Sequence, residues 1–340
     1  MKLPDSNIIN FIQQIRDNKN NRIVIVPHVN PDGDAIGSSL ALFHFFKKTN
    51  SVDIIAPSSF PEFLKWMPSS DSVLDYKKHK NDVVSKIDNA DLIIIADHNA
   101  ANRSGDLETI IDKSSAKKLM IDHHPEPTYS VDYTISCINV SSTSELVYNF
   151  VDEIEPEAFT KDIASSIYVG IMTDTGNFMH NVHSDTFEIV SKLISYKIDR
   201  DLIYNSVFNN YSLDRMRLLG FALNEKMFLY KDLNIAIVSL DEQELIRFNY
   251  KKGDTEGFVN MPLAIENINS SILIMQRDDE IKLSFRSKGN IAINKIAKAH
   301  FNGGGHKNAA GGIEKELGFA ETLEKLKTVL YQNKQILLEK

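Results

Sequence analysis

The sequence predicts an α/β protein of two domains, a mostly parallel sheet with helices on both faces followed by a smaller α+β domain. Three observations carry this. Up to about residue 190, short and almost wholly apolar runs alternate with amphipathic stretches, the pattern of a parallel sheet buried on both faces. From Glu225 onward, apolar runs come in pairs joined by brief polar turns, the pattern of hairpins. The length of 340 residues supports two cores at roughly 150 residues per domain.

Taken in order, Arg22 to Pro27 reads as a strand and Ala35 to Lys48 as a helix, with Leu40, Phe43 and Lys47 at helical spacing. Val52 to Ala56, Asp91 to Ala96 and Lys118 to Ile121 are further strands, and Ile163 to Met172 is a helix. Residues 183–222 read as helical, in two pieces, His183 to Tyr196 and Leu213 to Leu223. Then Lys226 to Tyr230 and Ile235 to Leu240 flank Lys231 to Asn234 as a hairpin. Ser271 to Gln276 and Ile281 to Phe285 form a second pair around the turn Arg277-Asp278-Asp279-Glu280. Ile291 to His300 is a short helix, and a last helix begins near Phe319. The expected division is a first domain over 1–190, a helical linker over 191–224 and a second domain over 225–340. Trp66 and the phenylalanines between Phe43 and Phe46 read as core.

Composition narrows the function. Lys plus Arg number 38 against 46 Asp plus Glu, a net charge of −8. An acidic chain is a poor non-specific duplex binder through its whole surface. A single cysteine, Cys137, excludes an intramolecular disulfide and a multi-cysteine zinc site, which suits a reducing, cytoplasmic setting. No apolar core of signal-peptide type follows Met1-Lys-Leu-Pro-Asp-Ser, and the longest apolar runs are too short to span a bilayer.

Parallel α/β sheets bind ligands at the carboxyl ends of their strands, and the ionisable residues gather there. His28-Val-Asn-Pro-Asp32-Gly-Asp34 follows the first strand, Asp97 follows Ile93-Ile-Ile-Ala96, and Asp122-His123-His124 follows Leu119-Met-Ile121. Thr173-Asp174-Thr-Gly follows a helix. Singly, each has an ordinary explanation: Pro31-Asp-Gly is turn chemistry, and Asp34 would cap the next helix. Together, carboxylates so close would repel strongly unless cations neutralised them. Oxygen and imidazole donors without thiolate favour Mn²⁺, with Mg²⁺ or Co²⁺ as alternatives. More than four ligands points to two ions, which at roughly 3.5–4 Å apart serve in-line hydrolysis of a phosphate ester.

These motifs, in this order, resemble the DHH phosphoesterase superfamily: His-x-x-x-Asp-x-Asp, a lone Asp, Asp-His-His and Thr-Asp-Thr-Gly. The stretch Gly303-Gly-Gly-His-Lys-Asn-Ala-Ala-Gly-Gly312 resembles the signature of the DHHA1 domain that follows it in that family. The resemblance implies that His28, Asp32 and Asp97 hold one Mn²⁺ and that Asp34, Asp97, His123 and Asp174 hold the other, with Asp97 as bridge. It implies that His124 faces the scissile phosphate and that Asp122 orients rather than ligates. Arg103, in Asp97-x5-Arg-x-Gly105, matches a family position that clamps phosphate. Ser141-Ser142-Thr143 matches a family pattern too, although Ser142-x-x-Glu145 also reads as a capping box. His98, His180 and His183 carry no assignment.

Between 281 and 312 there are six basic residues, Lys282, Arg286, Lys288, Lys295, Lys298 and Lys307, and no acidic one, a local reversal that suits an anionic substrate. Gly303 to Gly305 reads as a glycine loop whose amides form a phosphate nest, followed by His306 as a donor. By resemblance, Arg286-Ser287 grips a nucleotide phosphate, with Gly304, Gly305 and His306 beside it, across a cleft from the metals. The family's long-substrate exonucleases carry an added OB-fold, its membrane-anchored cyclic-dinucleotide phosphodiesterases carry preceding spans, and its pyrophosphatases lack the Gly-Gly-Gly-His signature. The chain therefore resembles the compact type that degrades short oligonucleotides (nanoRNA) and removes phosphate from 3′-phosphoadenosine 5′-phosphate. Its expected partners are short single-stranded RNA or DNA and small phosphorylated nucleotides, with no membrane, and a homodimer is compatible. Cyclic or linear dinucleotide hydrolysis is the alternative, followed by single-strand DNA exonuclease activity and a catalytically dead nucleotide sensor.

Overall fold

The computed structural model describes residues 6–277 and 280–338. Met1 to Asp5, and Asp278 and Asp279 of the expected turn, lie outside the described residues. The chain divides into two compact units, one up to Asn210 and one from Tyr211.

In the first unit the elements run α1 (Ser6–Asp17), β1 (Arg22–Val26), α2 (Gly33–Phe46), β2 (Ser51–Ala56), β3 (Val73–Asp75), α3 (Lys80–Asp88), β4 (Leu92–Ala96), α4 (Glu108–Lys113), β5 (Lys117–Asp122) and β6 (Tyr133–Ser136). Then follow α5 (Thr143–Ile154), α6 (Lys161–Asp174), α7 (Ser184–Ser195) and α8 (Arg200–Phe208). The sheet has the order β3-β2-β1-β4-β5-β6, with every pairing parallel. The apolar strands are continuous because both faces are covered. Ile23, Ile25, Leu92, Ile94, Leu119 and Ile121 pack with α1, α2, α5 and α6, while Val24, Val26, Ile93, Ile95 and Met120 pack against Val83 and Ile87 of α3 and Ile111 of α4. Phe45 and Phe46 are buried and Trp66 packs against the larger core, as expected.

This strand order reverses between β1 and β4, which creates a crevice at their carboxyl ends. Two glycines bring α2 and α6 together beneath it. A Cβ on Gly37 would lie 2.6 Å from the Ser166 carbonyl oxygen and 3.0 Å from the Gly170 nitrogen, so the two helices touch backbone to backbone. The helix expected over 163–172 is longer at both ends, so Asp174 is its last residue rather than part of a following loop. The short edge strands β3 and β6 had no counterpart in the sequence pattern.

The second unit opens with α9 (Leu213–Asn224), then β7 (Met227–Tyr230), β8 (Ile235–Leu240), α10 (Glu242–Arg247), β9 (Ser270–Arg277), β10 (Glu280–Ser287), α11 (Asn294–His300), β11 (Gly304–His306), β12 (Ala309–Glu314), α12 (Phe319–Gln332) and α13 (Lys334–Leu337). Its sheet has the order β11-β12-β10-β9-β8-β7. The expected pairs β7–β8 and β9–β10 are antiparallel, while β8 and β9 run parallel, joined by a long crossover through α10.

One local reading is corrected here. Gly303 to Gly305 is not an open loop, because Gly304 to His306 form β11 against β12. The glycines have a packing reason: a Cβ on Gly303 would lie 2.0 Å from the Gly311 carbonyl oxygen, and Gly305 sits at φ +135°, a conformation that favours glycine. Among the described residues, no helix is long and apolar enough to cross a membrane.

Candidate metal centre

Each loop at the crevice is shaped by the strand before it. After β1, the His28 ring faces the Val29 carbonyl through Nδ1 at 2.8 Å, which leaves Nε2 free to look inward. That Nε2 stands 3.5 Å from Asp97 Oδ2 and 3.8 Å from Asp32 Oδ2. Asp32, not Asp34, caps α2: its Oδ1 accepts from the amides of Asp34 at 3.0 Å and Ala35 at 3.1 Å. The cap role and a ligand role are thus compatible, one oxygen for each. The Asp32 side chain is 60% exposed.

Asp34, in the first turn of α2, is buried and points across to α5. Its Oδ2 accepts from the Thr143 amide at 2.7 Å and its Oδ1 from the Ser144 amide at 2.9 Å. Asp97 is also buried, and it has a left-handed backbone at φ +63°, a conformation uncommon outside glycine that concentrates at functional sites. Its amide donates to the Ile121 carbonyl at 3.0 Å. Its Oδ1 accepts from the Thr143 hydroxyl at 2.8 Å and lies 3.8 Å from both His123 Nε2 and His124 Nδ1. The two Asp97 oxygens therefore face different neighbours, His28 on one side and the histidine pair on the other.

After β5, His123 Nε2 lies 3.5 Å from Asp174 Oδ2 at the end of α6, a carboxylate whose side chain is 30% exposed. Asp122 is fully buried and takes two bonds from His124, 2.8 Å from Nδ1 and 2.8 Å from the amide. Both of these Asp122 contacts go to His124. Two straps fix these loops: Asn99 donates to the carbonyls of His124 at 2.9 Å and Pro125 at 3.1 Å, and the Val29 amide donates to the Arg103 carbonyl at 2.7 Å. Arg103 is half-buried. His98 is resolved as a structural residue: it is buried, bonded to Ala96 and Ser104, and burial pushes its pKa down to about 3. His180 and His183 are exposed.

In the second unit Arg286 and Ser287 end β10, and Arg286 Nη1 donates to the Phe285 carbonyl at 2.9 Å. The Ser287 hydroxyl donates to the Ile291 carbonyl at 2.7 Å and accepts from Asn308 at 2.9 Å. Gly304, Gly305 and His306 lie along β11.

Burial, then the charges of Asp97 and Asp174, push the Asp34 carboxyl well above the usual carboxylate range. Burial would raise Asp97 too, but the His28 hydrogen bond and the charges of His124, His28 and His123 hold it well below. For His28, burial disfavours the cation, yet Asp32 and Asp97 outweigh it and push the pKa up to about 10. Donor atoms of His28, Asp32 and Asp97 lie within 4.8 Å of one another, as do those of Asp34, His123 and Asp174. The Ser144 hydroxyl beside them is buried without a hydrogen-bond partner among the described residues. This oxygen and imidazole set fits hard or borderline divalent cations.

Paired His/Asp clusters at the switch point of a parallel sheet, taken with the family matches that follow, make this a metal-dependent phosphoesterase, a hydrolase. Residues 22–171 match the DHH family, N-terminal domain, and residues 232–332 match the DHHA1 domain. The chain belongs to the DHH/DHHA1 phosphoesterase family. A solved structure of an exopolyphosphatase-related protein from Bacteroides fragilis is 41% identical with a TM-score of 0.94, each chain covered over 100%. The bifunctional oligoribonuclease and PAP phosphatase NrnA of Bacillus subtilis is 29% identical over 295 residues, 85% of this chain and 88% of that one. RecJ from Thermus thermophilus, solved in complex with Mn²⁺, shares the fold at a TM-score of 0.56 and 10% identity, covering 96% of this chain and 54% of its own.

Thr143 was marked in the sequence as part of the Ser141-Ser142-Thr143 pattern, but its contacts with Asp34 and Asp97 were not. Ser142 does cap α5, accepting from the Glu145 amide at 3.1 Å. The capping box is only half formed, because the Glu145 carboxylate turns to the Ser141 amide and hydroxyl at 3.2 and 2.5 Å. A run of four hydroxyl residues, Ser141 to Ser144, exceeds what one cap needs, and that excess was the available signal.

Proposed function

We propose that the chain is a two-cation phosphodiesterase and phosphatase that cleaves short oligonucleotides to mononucleotides and converts 3′-phosphoadenosine 5′-phosphate to AMP. The observation that carries this reading is the buried pair Asp34 and Asp97, set among His28, His123, Asp32 and Asp174. His28, Asp32 and Asp97 would hold one ion, and Asp34, Asp97, His123 and Asp174 the other, with Asp97 common to both. Mn²⁺, or Mg²⁺ or Co²⁺ in its place, supplies charge neutralisation at the phosphate and a water-derived nucleophile near neutral pH.

The chain's own residues divide the remaining work. His124, fixed through Nδ1 by Asp122, presents Nε2 to the scissile phosphate and holds a proton there for the leaving oxygen. Arg103 clamps a phosphate from the first unit. Arg286 and Ser287, with Gly304, Gly305 and His306, are the nucleotide-binding residues of the second unit, where six basic residues stand without an acidic one over 281–312. Similarity to the Bacillus subtilis oligoribonuclease and PAP phosphatase over most of both lengths supports the substrate class, and a cytoplasmic place of action accords with it. A second reading, hydrolysis of a polyphosphate, is favoured by the likeness to the exopolyphosphatase-related protein.

A substrate panel with Mn²⁺ tests the reading: dinucleotides, 5-mers, 24-mers, cyclic dinucleotides, 3′-phosphoadenosine 5′-phosphate and inorganic polyphosphate, ranked by kcat/KM. Dinucleotides, 5-mers and 3′-phosphoadenosine 5′-phosphate are expected to lead. Leadership by cyclic dinucleotides, 24-mers or polyphosphate would assign the alternative each represents. Tight nucleotide binding without turnover of any substrate would make the protein a sensor.

A further inference from the structure

The first turn of α5 lies where a helix has amides to spare. The opening N–H groups of a helix have no intrahelical acceptor, and buried ones must find partners elsewhere. Thr143 and Ser144 are both buried, and both of their amides go to Asp34, one to each oxygen. The Thr143 hydroxyl makes a different bond, donating to Asp97 Oδ1 at 2.8 Å. One residue therefore touches two carboxylates from different elements, Asp34 on α2 and Asp97 past the end of β4.

The segment is itself clamped from behind. The buried Glu145 carboxylate accepts from the Ser141 amide, the Ser141 hydroxyl and, at 2.8 Å, the Thr186 hydroxyl of α7. An ordinary cap would use its hydroxyl on the helix's own amides, and Ser142 already fills that office. The Thr143 hydroxyl serves no amide of α5. Its partner is a buried carboxylate whose other neighbours on that oxygen, His123 and His124, stand at 3.8 Å. Removing it leaves the helix cap intact and takes the short donor away from Asp97.

We propose that Thr143 is a positioning residue for the metal centre, fixing Asp34 through its amide and Asp97 through its hydroxyl so that the two ligand groups keep a set separation. This rests on the two-cation reading above. Groups behind metal ligands hold the ligand's orientation and tune its basicity, and their loss commonly costs 10- to 100-fold in metal affinity or activity. The backbone amide survives any substitution, so the hydroxyl is the part that mutation can interrogate.

The test compares wild type with Thr143→Val, Thr143→Ala and Thr143→Ser as full-length, chelator-stripped proteins, with Mn²⁺ binding followed by equilibrium dialysis and metal-free unfolding by circular dichroism. Wild type is expected to bind two ions. Val and Ala should weaken at least one site about 10- to 100-fold, while Ser, which keeps the hydroxyl, should stay within about threefold of wild type. A merely structural role would lower the metal-free midpoint and leave affinity alone. Hydrolysis of a dinucleotide and of bis-p-nitrophenyl phosphate should fall together, because the defect lies at the centre that both share. Wild-type affinity at both sites in the Val and Ala variants would overturn the proposal, as would a Ser variant as weak as Ala. If Val does not fold, the Ala and Ser pair decides. A wild type that binds no Mn²⁺ overturns the two-cation reading itself, and this inference with it.

Discussion

Gly170 faces Ser144 so closely that a Cβ on Gly170 would lie 1.9 Å from the Ser144 hydroxyl oxygen and 2.8 Å from Asp34 Oδ1. The helix that delivers Asp174 thus leaves room, by one missing methyl group, for the helix that holds Asp34. Gly170→Ala should cost about 1–3 kcal/mol through overpacking and loosen Mn²⁺ binding as well. Gly220→Ala is the control, since nothing lies within 4 Å of its Cβ position, and there alanine should stabilise the helix by roughly 0.5–1 kcal/mol. Denaturant unfolding and Mn²⁺ titration of both variants check this, and equal effects at the two sites would contradict it.

Asn99→Ala should release the His124 loop. It removes two bonds to main-chain carbonyls, at a stability cost of about 1–3 kcal/mol if a buried carbonyl is left unpaired. Loss of orientation should lower kcat by about 10- to 100-fold with little change in KM for a dinucleotide. Steady-state kinetics decide it, and an unchanged kcat would mean the loop keeps its shape without the strap.

Arg286→Ala separates grip from chemistry. KM for nucleotides should rise roughly ten- to hundredfold, the worth of a charge-assisted bond of about 1.5–3 kcal/mol. Hydrolysis of bis-p-nitrophenyl phosphate, which needs no nucleotide grip, should change little. The ratio of kcat/KM for the two substrates is the quantity to follow. Equal losses on both would remove Arg286 from substrate recognition.

The second unit carries an acid-sensitive contact of its own. Glu314 accepts from Lys325 at 2.7 Å and from the amides of Glu316 and Lys315, each at 2.9 Å, and these bonds, led by Lys325, hold its carboxyl below the ordinary 4.5. A folded-state pKa below the unfolded one means stability that is fully present above pH 4.5 and lost as pH falls through the folded value. Glu314→Gln should therefore be less stable at neutral pH and show a shallower decline on acidification. Unfolding midpoints from pH 7 to pH 3 measure this, and parallel curves would contradict it.

Much of this was legible in the sequence, for identifiable reasons. Asp97 and His123 stood out because each follows an apolar strand directly, and strand ends in parallel sheets are where sites form. For Asp34 the ordinary alternative was a cap on the next helix, but Asp32 is the cap, since local spacing does not say which carboxylate turns back to its own helix. The contacts of Thr143 stayed hidden because its partners, Asp34 and Asp97, are 109 and 46 residues away, and Ser-x-x-Glu already satisfied a local rule. Gly37 and Gly170 look like weak points in helices until the helices are seen to touch. The edge strands β3 and β6, three and four residues long, are too short to show an apolar period.

The central claim is that Asp97 joins two cation sites into one catalytic centre, and the most direct measurement is the number of Mn²⁺ ions bound per chain. Elemental analysis after gel filtration in Mn²⁺ buffer should find two ions in wild type and fewer in Asp97→Asn, a variant of nearly the same shape. Hydrolysis of every substrate should vanish with them. A wild type holding a single ion, or an Asp97→Asn protein that keeps two ions and about a tenth or more of wild-type kcat, would contradict the account.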